Sequence, residues 1–188
     1  MLRLAAAMAA VNLLEVPALT VGVPVLVVQT LQKSDASLGL VQAVLSAGGI
    51  LGGVLAGTVF VRRPIRSGTP LLLALSGVCA ALGLALRVSV LQFGSILVLG
   101  AVFMAVAALF NVWFFARLQA VLPQAQLGRV TGCTMALASL TQPVGQAVYG
   151  VLFDVFSACP AGVLLGAGAL SAAFLTGAIR HETEKRPG

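Results

Sequence analysis

Apolar residues along this chain fall into six long runs, at 4–29, 38–61, 70–86, 91–116, 130–155 and 161–179, separated by short polar or basic stretches. A helix needs about 20 predominantly apolar residues to cross the hydrocarbon core of a bilayer. The pattern therefore predicts an all-α membrane protein with six transmembrane helices in one domain. The first run is interrupted by Asn12 and Glu15, three residues apart and so on one helix face. A charge at the bilayer centre costs about 2.5–3.5 kcal/mol on insertion scales, and an acid held there faces the bundle interior and marks transport more often than not. Pro17 and Pro24 follow in the same run. Each removes a backbone donor and predicts a kink.

The remaining runs differ in what interrupts them. The second carries Gly48, Gly49, Gly52, Gly53 and Gly57, two series stepping by four, which predicts a groove for close helix packing. The basic stretch Arg62-Arg63-Pro64-Ile65-Arg66 ends it. The third is short and nearly featureless. The fourth ends in Asn111-Val112-Trp113-Phe114-Phe115, where Trp113 is either an interfacial anchor or the wall of a cavity. Arg117 to Arg129 reads as the longest loop, its Leu118, Val121 and Leu122 forming a short amphipathic piece on the membrane surface. In the fifth run Thr134, Thr141, Gln142, Gln146 and Tyr149 step by threes and fours. Such a stripe in a bilayer helix serves either interhelical hydrogen bonding or a substrate path. Asp154 lies at interface depth, and the last run carries further small residues before the polar tail that begins at Arg180 and contains the single histidine, His181.

Composition removes the soluble alternatives. The 188 residues are 60% hydrophobic and only 9% charged, against about 25% charged in soluble domains. The net charge of +6 does not indicate nucleic acid, because the cations lie between the apolar runs. Arg3, Arg62, Arg63, Arg66, Arg117, Arg129, Arg180, Lys185 and Arg186 share one side, against Lys33 and Arg87 on the other. The positive-inside rule then places both termini in the cytoplasm. Cys79, Cys133 and Cys159 follow no metal-ligand or CxxC spacing, so no metal site and no disulfide are expected. No HExxH, GxSxG or nucleotide-binding loop occurs. The chain reads as a non-enzyme without cofactors, and any transport draws on an ion gradient.

Three stretches resemble a family. Arg117, Pro123 and Gly128-Arg129-Val130 are similar to an R…P…GRV cytoplasmic loop, and Pro143 to Asp154 to a PxGxxxxGxLxD helix pattern. Gly57, Arg62, Arg63 and Gly68 resemble a degenerate gating motif, without the Asp that normally precedes its arginines. Together they resemble the C-terminal six-helix half of a major facilitator superfamily (MFS) transporter, in the bacterial drug, macrolide and siderophore exporter branch. The resemblance implies a multi-pass protein of the bacterial inner membrane that exports a small amphipathic organic molecule by alternating access. Its partners would be the lipid bilayer, that substrate and a second six-helix half, because the family's working unit has twelve spans around a midplane site. A fragment, a split-gene product and a self-pairing half all fit that expectation.

On this reading Asn12, Glu15, Asn111, Gln142, Gln146 and Tyr149 line the substrate and proton pathway, with Glu15 as the proton-coupling or cation-binding group. Arg62, Arg63, Arg117 and Arg129 belong to the cytoplasmic gating loops. The alternative is a structural or regulatory membrane bundle, or a transporter remnant, that moves nothing.

Overall fold

The computed structural model describes residues 8–62, 68–88, 91–157 and 159–184. Among them the chain forms six helices and no strand: α1 (Met8–Thr30), α2 (Asp35–Arg62), α3 (Thr69–Ala85), α4 (Gln92–Val121), α5 (Gln124–Val155) and α6 (Pro160–Glu184). α1, α2 and α4 are long and apolar enough to cross a membrane. α3 and the 160–173 part of α6 are apolar but shorter, and α5 carries the polar stripe. α2 packs on α4, α4 on α3, and α3 on α6, while α1 lies against α5 and α6.

The surface is inverted relative to a soluble protein. Ile50, Leu140 and Val155 are each about 70% exposed, whereas the acid Glu15 is 1% exposed. That arrangement suits apolar surroundings.

Each helix turns one stripe inward. On α4 the buried residues are Ile96, Gly100, Phe103, Ala107, Phe110, Phe114 and Leu118, successive steps of three or four along one face. The two glycine series of α2 separate in function. Gly48 and Gly52 lie directly against the backbone of Ala101 and Ala105 on α4, while Gly49, Gly53 and Gly57 have nothing within 4 Å of a built Cβ. The expected packing groove is therefore one series, with Ala56 continuing it in full burial.

Neither proline ends α1, and a wide turn precedes Pro17. Val11–Glu15 and Val25–Thr30 wind as π-helix. In an α-helix the ring of Pro17 would collide with the carbonyl of Leu13, four residues earlier; the wide turn just ahead of Pro17 relieves that collision. Past the second wide turn, Gln32 adopts a left-handed backbone with φ 49°. Ser34 then caps α2, accepting a hydrogen bond from the Ser37 backbone N–H, and Lys33 sits 5.9 Å above the Phe93 ring. A left-handed non-glycine residue costs about 1–2 kcal/mol, offset in a Gln32→Gly variant by about 0.5–1 kcal/mol of extra unfolded-state freedom. Gln32→Gly is therefore expected to stabilise the fold by up to about 1 kcal/mol, checked by thermal unfolding in detergent.

The expected loop from Arg117 to Arg129 is instead helix on both sides of a two-residue break. α4 continues to Val121 because Leu118 extends its buried stripe. Leu122 turns extended, φ −95° and ψ 139°, as the residue before a proline must, and Pro123 starts α5. No surface-lying amphipathic segment remains: Leu118 is core, and Gly128-Arg129-Val130 lie within α5. The polar tail also differs from expectation, since α6 stays helical through Arg180 and His181 to Glu184.

Candidate functional site

Glu15 is buried because it occupies a core position. The inward stripe of α1 runs Met8, Val11, Glu15, Ala18, Leu19, Gly22 and Val23, so the acid takes the place of an apolar residue. Facing it on α3 is the stripe Leu72, Leu75, Ser76, Cys79 and Leu82, and on α6 the stripe Ala161, Leu164, Ala167 and Ser171. Three helices thus each contribute one polar residue to an apolar interior.

Ser76 Oγ donates to Glu15 Oε1 at 2.7 Å and also lies 3.1 Å from Leu72 O on its own helix. Glu15 Oε2 and Ser171 Oγ are both buried without a hydrogen-bond partner. Cys79 is one stripe position beyond Ser76, and its thiol donates to Leu164 O at 3.6 Å. Tyr149, 4% exposed on α5, stands within electrostatic reach of both Glu15 and Cys79, its ring 6.3 Å from that of Phe153. α5 approaches α1 at Gly145, where a Cβ would lie 2.6 Å from Leu13 O and 2.6 Å from Pro17 Cγ. A glycine is required for that contact.

Of the expected pathway residues, Glu15 and Tyr149 share this interior. Asn12 is half-buried and bonds back to Met8 O at 2.9 Å; Asn111 does the same to Ala107 O at 3.0 Å. Gln142 and Gln146 are half-buried on α5. Thr134 and Thr141 spend their hydroxyls on their own helix, on Val130 O and Leu137 O. The stripe nonetheless faces inward, since the large apolar residues Met135, Leu137, Leu140, Val144, Val148, Val151 and Val155 of α5 are exposed. Trp113 stacks on Phe110 at 6.0 Å and closes over Gly68, a packing role between α4 and the start of α3. Of the gating-loop arginines, Arg117 and Arg129 are exposed on α4 and α5, and Arg62 is the last residue of α2. Arg63 lies outside the described residues, as do Arg3, Arg66, Lys185 and Arg186.

Two clefts border the polar cluster. One of about 370 Å³ opens between α5 and α6, with Tyr149 at its inner end and Leu152, Phe156, Cys159 and Val163 along it. Another of about 430 Å³ lies between α3 and α6 and includes Ser76, Gly77, Ala80 and Gly168. Neither is lined by Asn12, Asn111, Gln142 or Gln146. Sequence reasoning missed Ser76 and Ser171. The available clue was their spacing, since each continues an inward stripe of threes and fours and a buried acid on another helix needs donors. No family model, curated protein or solved structure matches the chain.

Proposed function

We propose that this chain is a six-helix half of an MFS-type secondary transporter of the bacterial inner membrane. Paired with a second half, it exports a small amphipathic organic molecule by alternating access. The observation that carries the reading is Glu15: an acid 1% exposed on the inward stripe of an apolar helix, inside a bundle whose surface is apolar. A buried acid in that setting costs stability that a leucine would not, and ion coupling is a use that membrane proteins make of such a residue. The wide turn Val11–Glu15 that ends at this residue supports the same reading, because single π turns inside helices concentrate at functional sites. The arginine asymmetry supports a topology with both termini, Arg117 and Arg129 on the cytoplasmic side.

A structural bundle that transports nothing is favoured by one specific observation: the amides of Asn12 and Asn111 are turned onto their own helices rather than toward a shared cavity. The two readings separate experimentally. Native mass measurement on the complex purified through a tag on this chain is expected to give a heterodimer or homodimer of six-helix chains. In vesicles carrying that complex, Glu15→Gln is expected to abolish gradient-driven export while leaving assembly intact. Undiminished coupled export by the variant would remove the coupling role from Glu15, and a lone 19.0 kDa species without flux would favour the bundle.

A further inference from the structure

We propose that Ser76 is a two-position hydrogen-bond switch that converts the protonation state of Glu15 on α1 into a change of shape in α3. Its hydroxyl has one proton and two acceptors in reach, Glu15 Oε1 at 2.7 Å and Leu72 O, one turn back on its own helix, at 3.1 Å. Ser76 is 3% exposed, so the proton's choice lies between these two oxygens. With Glu15 ionised it belongs on Oε1, because a hydrogen bond to a charged acceptor is about twice as strong as one to a neutral carbonyl. Adding one proton from solvent to the carboxylate reverses the bond. On Oε1 the new O–H donates to the Ser76 Oγ lone pair, which frees the serine proton to turn to Leu72 O. On Oε2 it would have nothing to donate to, since Oε2 is buried without a partner, and an orphaned donor in an apolar interior is the costlier arrangement. Oε1 therefore takes the proton, and the bond between α1 and α3 survives with donor and acceptor exchanged.

The consequence falls on α3. A serine hydroxyl bonded to the carbonyl four residues back weakens and bends its helix locally. The bend comes where α6 is nearest: a Cβ on Gly168 would lie 2.9 Å from Ser76 O and 3.0 Å from Ala80 N. The cleft of about 430 Å³ between the same two helices, bordered by Ser76, Gly77 and Gly168, leaves room for the movement. Protonation on α1 thus reaches α6 through backbone contact. Few other groups can interfere. On α3 the Cys79 thiol is committed to Leu164 O, and on α5 the titratable neighbour is Tyr149, 4% exposed. The inward residues Ala161, Leu164, Ala167 and Ser171 of α6 carry no acid or base. Among the described side chains Lys33, Arg87, Arg117 and Arg129 are all exposed, so no cation shares the interior with the carboxylate. The switch rests on the transport reading in needing Glu15 to exchange a proton; it does not need flux.

The test is solid-state NMR on the full chain in lipid bilayers, ¹³C-labelled in glutamate and leucine. The Glu15 carboxyl carbon is assigned by its loss in Glu15→Gln, and the Leu72 carbonyl carbon by its loss in Leu72→Ile. Between about pH 4 and 9 the two resonances are expected to move together in the wild type. In Ser76→Ala, Glu15 should still titrate while the Leu72 carbonyl stays fixed, and Ser76→Thr, which keeps a hydroxyl, should restore the movement. A merely structural serine predicts a fixed Leu72 resonance in the wild type, and a direct effect of the carboxylate charge predicts undiminished movement in Ser76→Ala. Either result overturns the switch, as does a Glu15 resonance that stays constant across this range. Should Ser76→Ala fail to fold, Ser76→Cys takes its place: a thiol is a weak donor, so the Leu72 movement should shrink, and undiminished movement overturns the switch. If Leu72 stays fixed while Glu15→Gln abolishes export, the switch falls and the transport reading stands. If both resonances move in a complex that exports nothing, the transport reading falls and the switch stands.

Discussion

Gly52→Ala is expected to destabilise the folded bundle by about 1–3 kcal/mol, the usual cost of overfilling a packed site, while Gly53→Ala, one residue on, leaves stability unchanged or raised. The added methyl at Gly52 would overlap the carbonyl and Cα of Ala105. Those are backbone atoms in the middle of α4, which cannot step aside as a side chain would. At Gly53 the methyl meets nothing within 4 Å, and only the intrinsic preference of a helix for alanine over glycine remains, about 0.8–1.0 kcal/mol in its favour. Because the two substitutions are chemically identical, the difference isolates the α2–α4 contact from propensity. Reversible unfolding in mixed detergent micelles measures both. Equal effects of the two variants would mean that α2 and α4 do not cross at Gly52.

Phe110→Ala tests the other half of the same core. The ring is fully buried, 6.0 Å from Trp113 and 6.3 Å from Phe114. In a water-soluble core such a truncation costs about 3–5 kcal/mol. Part of that figure is transfer of the ring out of water, and on the membrane reading proposed above a helix separated from its neighbours stays in hydrocarbon, so the transfer part drops out. What remains is lost dispersion, the cavity and the aromatic pairing, of which the last alone is about 0.5–1.5 kcal/mol. The expected loss is about 2 kcal/mol, in the same unfolding assay. A loss below about 0.5 kcal/mol, the range of an uninvolved surface position, would place Phe110 outside the core. A loss above about 3 kcal/mol would mean that the unfolded state is in water rather than lipid.

The helices were legible because long apolar runs separated by short polar stretches mark helix lengths directly in the sequence. The ends of α1, α2, α3 and α6 fall within a few residues of the breaks in apolar character, apart from the helical extension of α6 past Ile179. The α4–α5 junction misled for a definite reason. A helix that continues past its apolar run looks polar in sequence, and only the burial of Leu118 against neighbours from elsewhere in the chain keeps Arg117 to Val121 wound. Glu15 stood out because an acid in an apolar run is conspicuous; Ser76 and Ser171 did not, because a hydroxyl among leucines is ordinary. Their meaning comes from three helices converging, which is long-range information. The same limit explains Asn12 and Asn111. Sequence places an amide on a helix, but whether it turns to a cavity or to the carbonyl four residues back is decided by a rotamer.

The convergence of α1, α3 and α6 on one carboxyl also sets a schedule. Glu15 and Ser76 are 61 positions apart, and Ser171 belongs to α6, the latest of these three helices to leave the ribosome. Synthesis runs from the amino end, so the acid is made first and enclosed last. Throughout the production of the four helices between α1 and α6, the carboxyl waits without its α6 neighbour, sheltered by whatever guides the growing chain. The surroundings of this carboxyl are therefore complete only once α6 is in place.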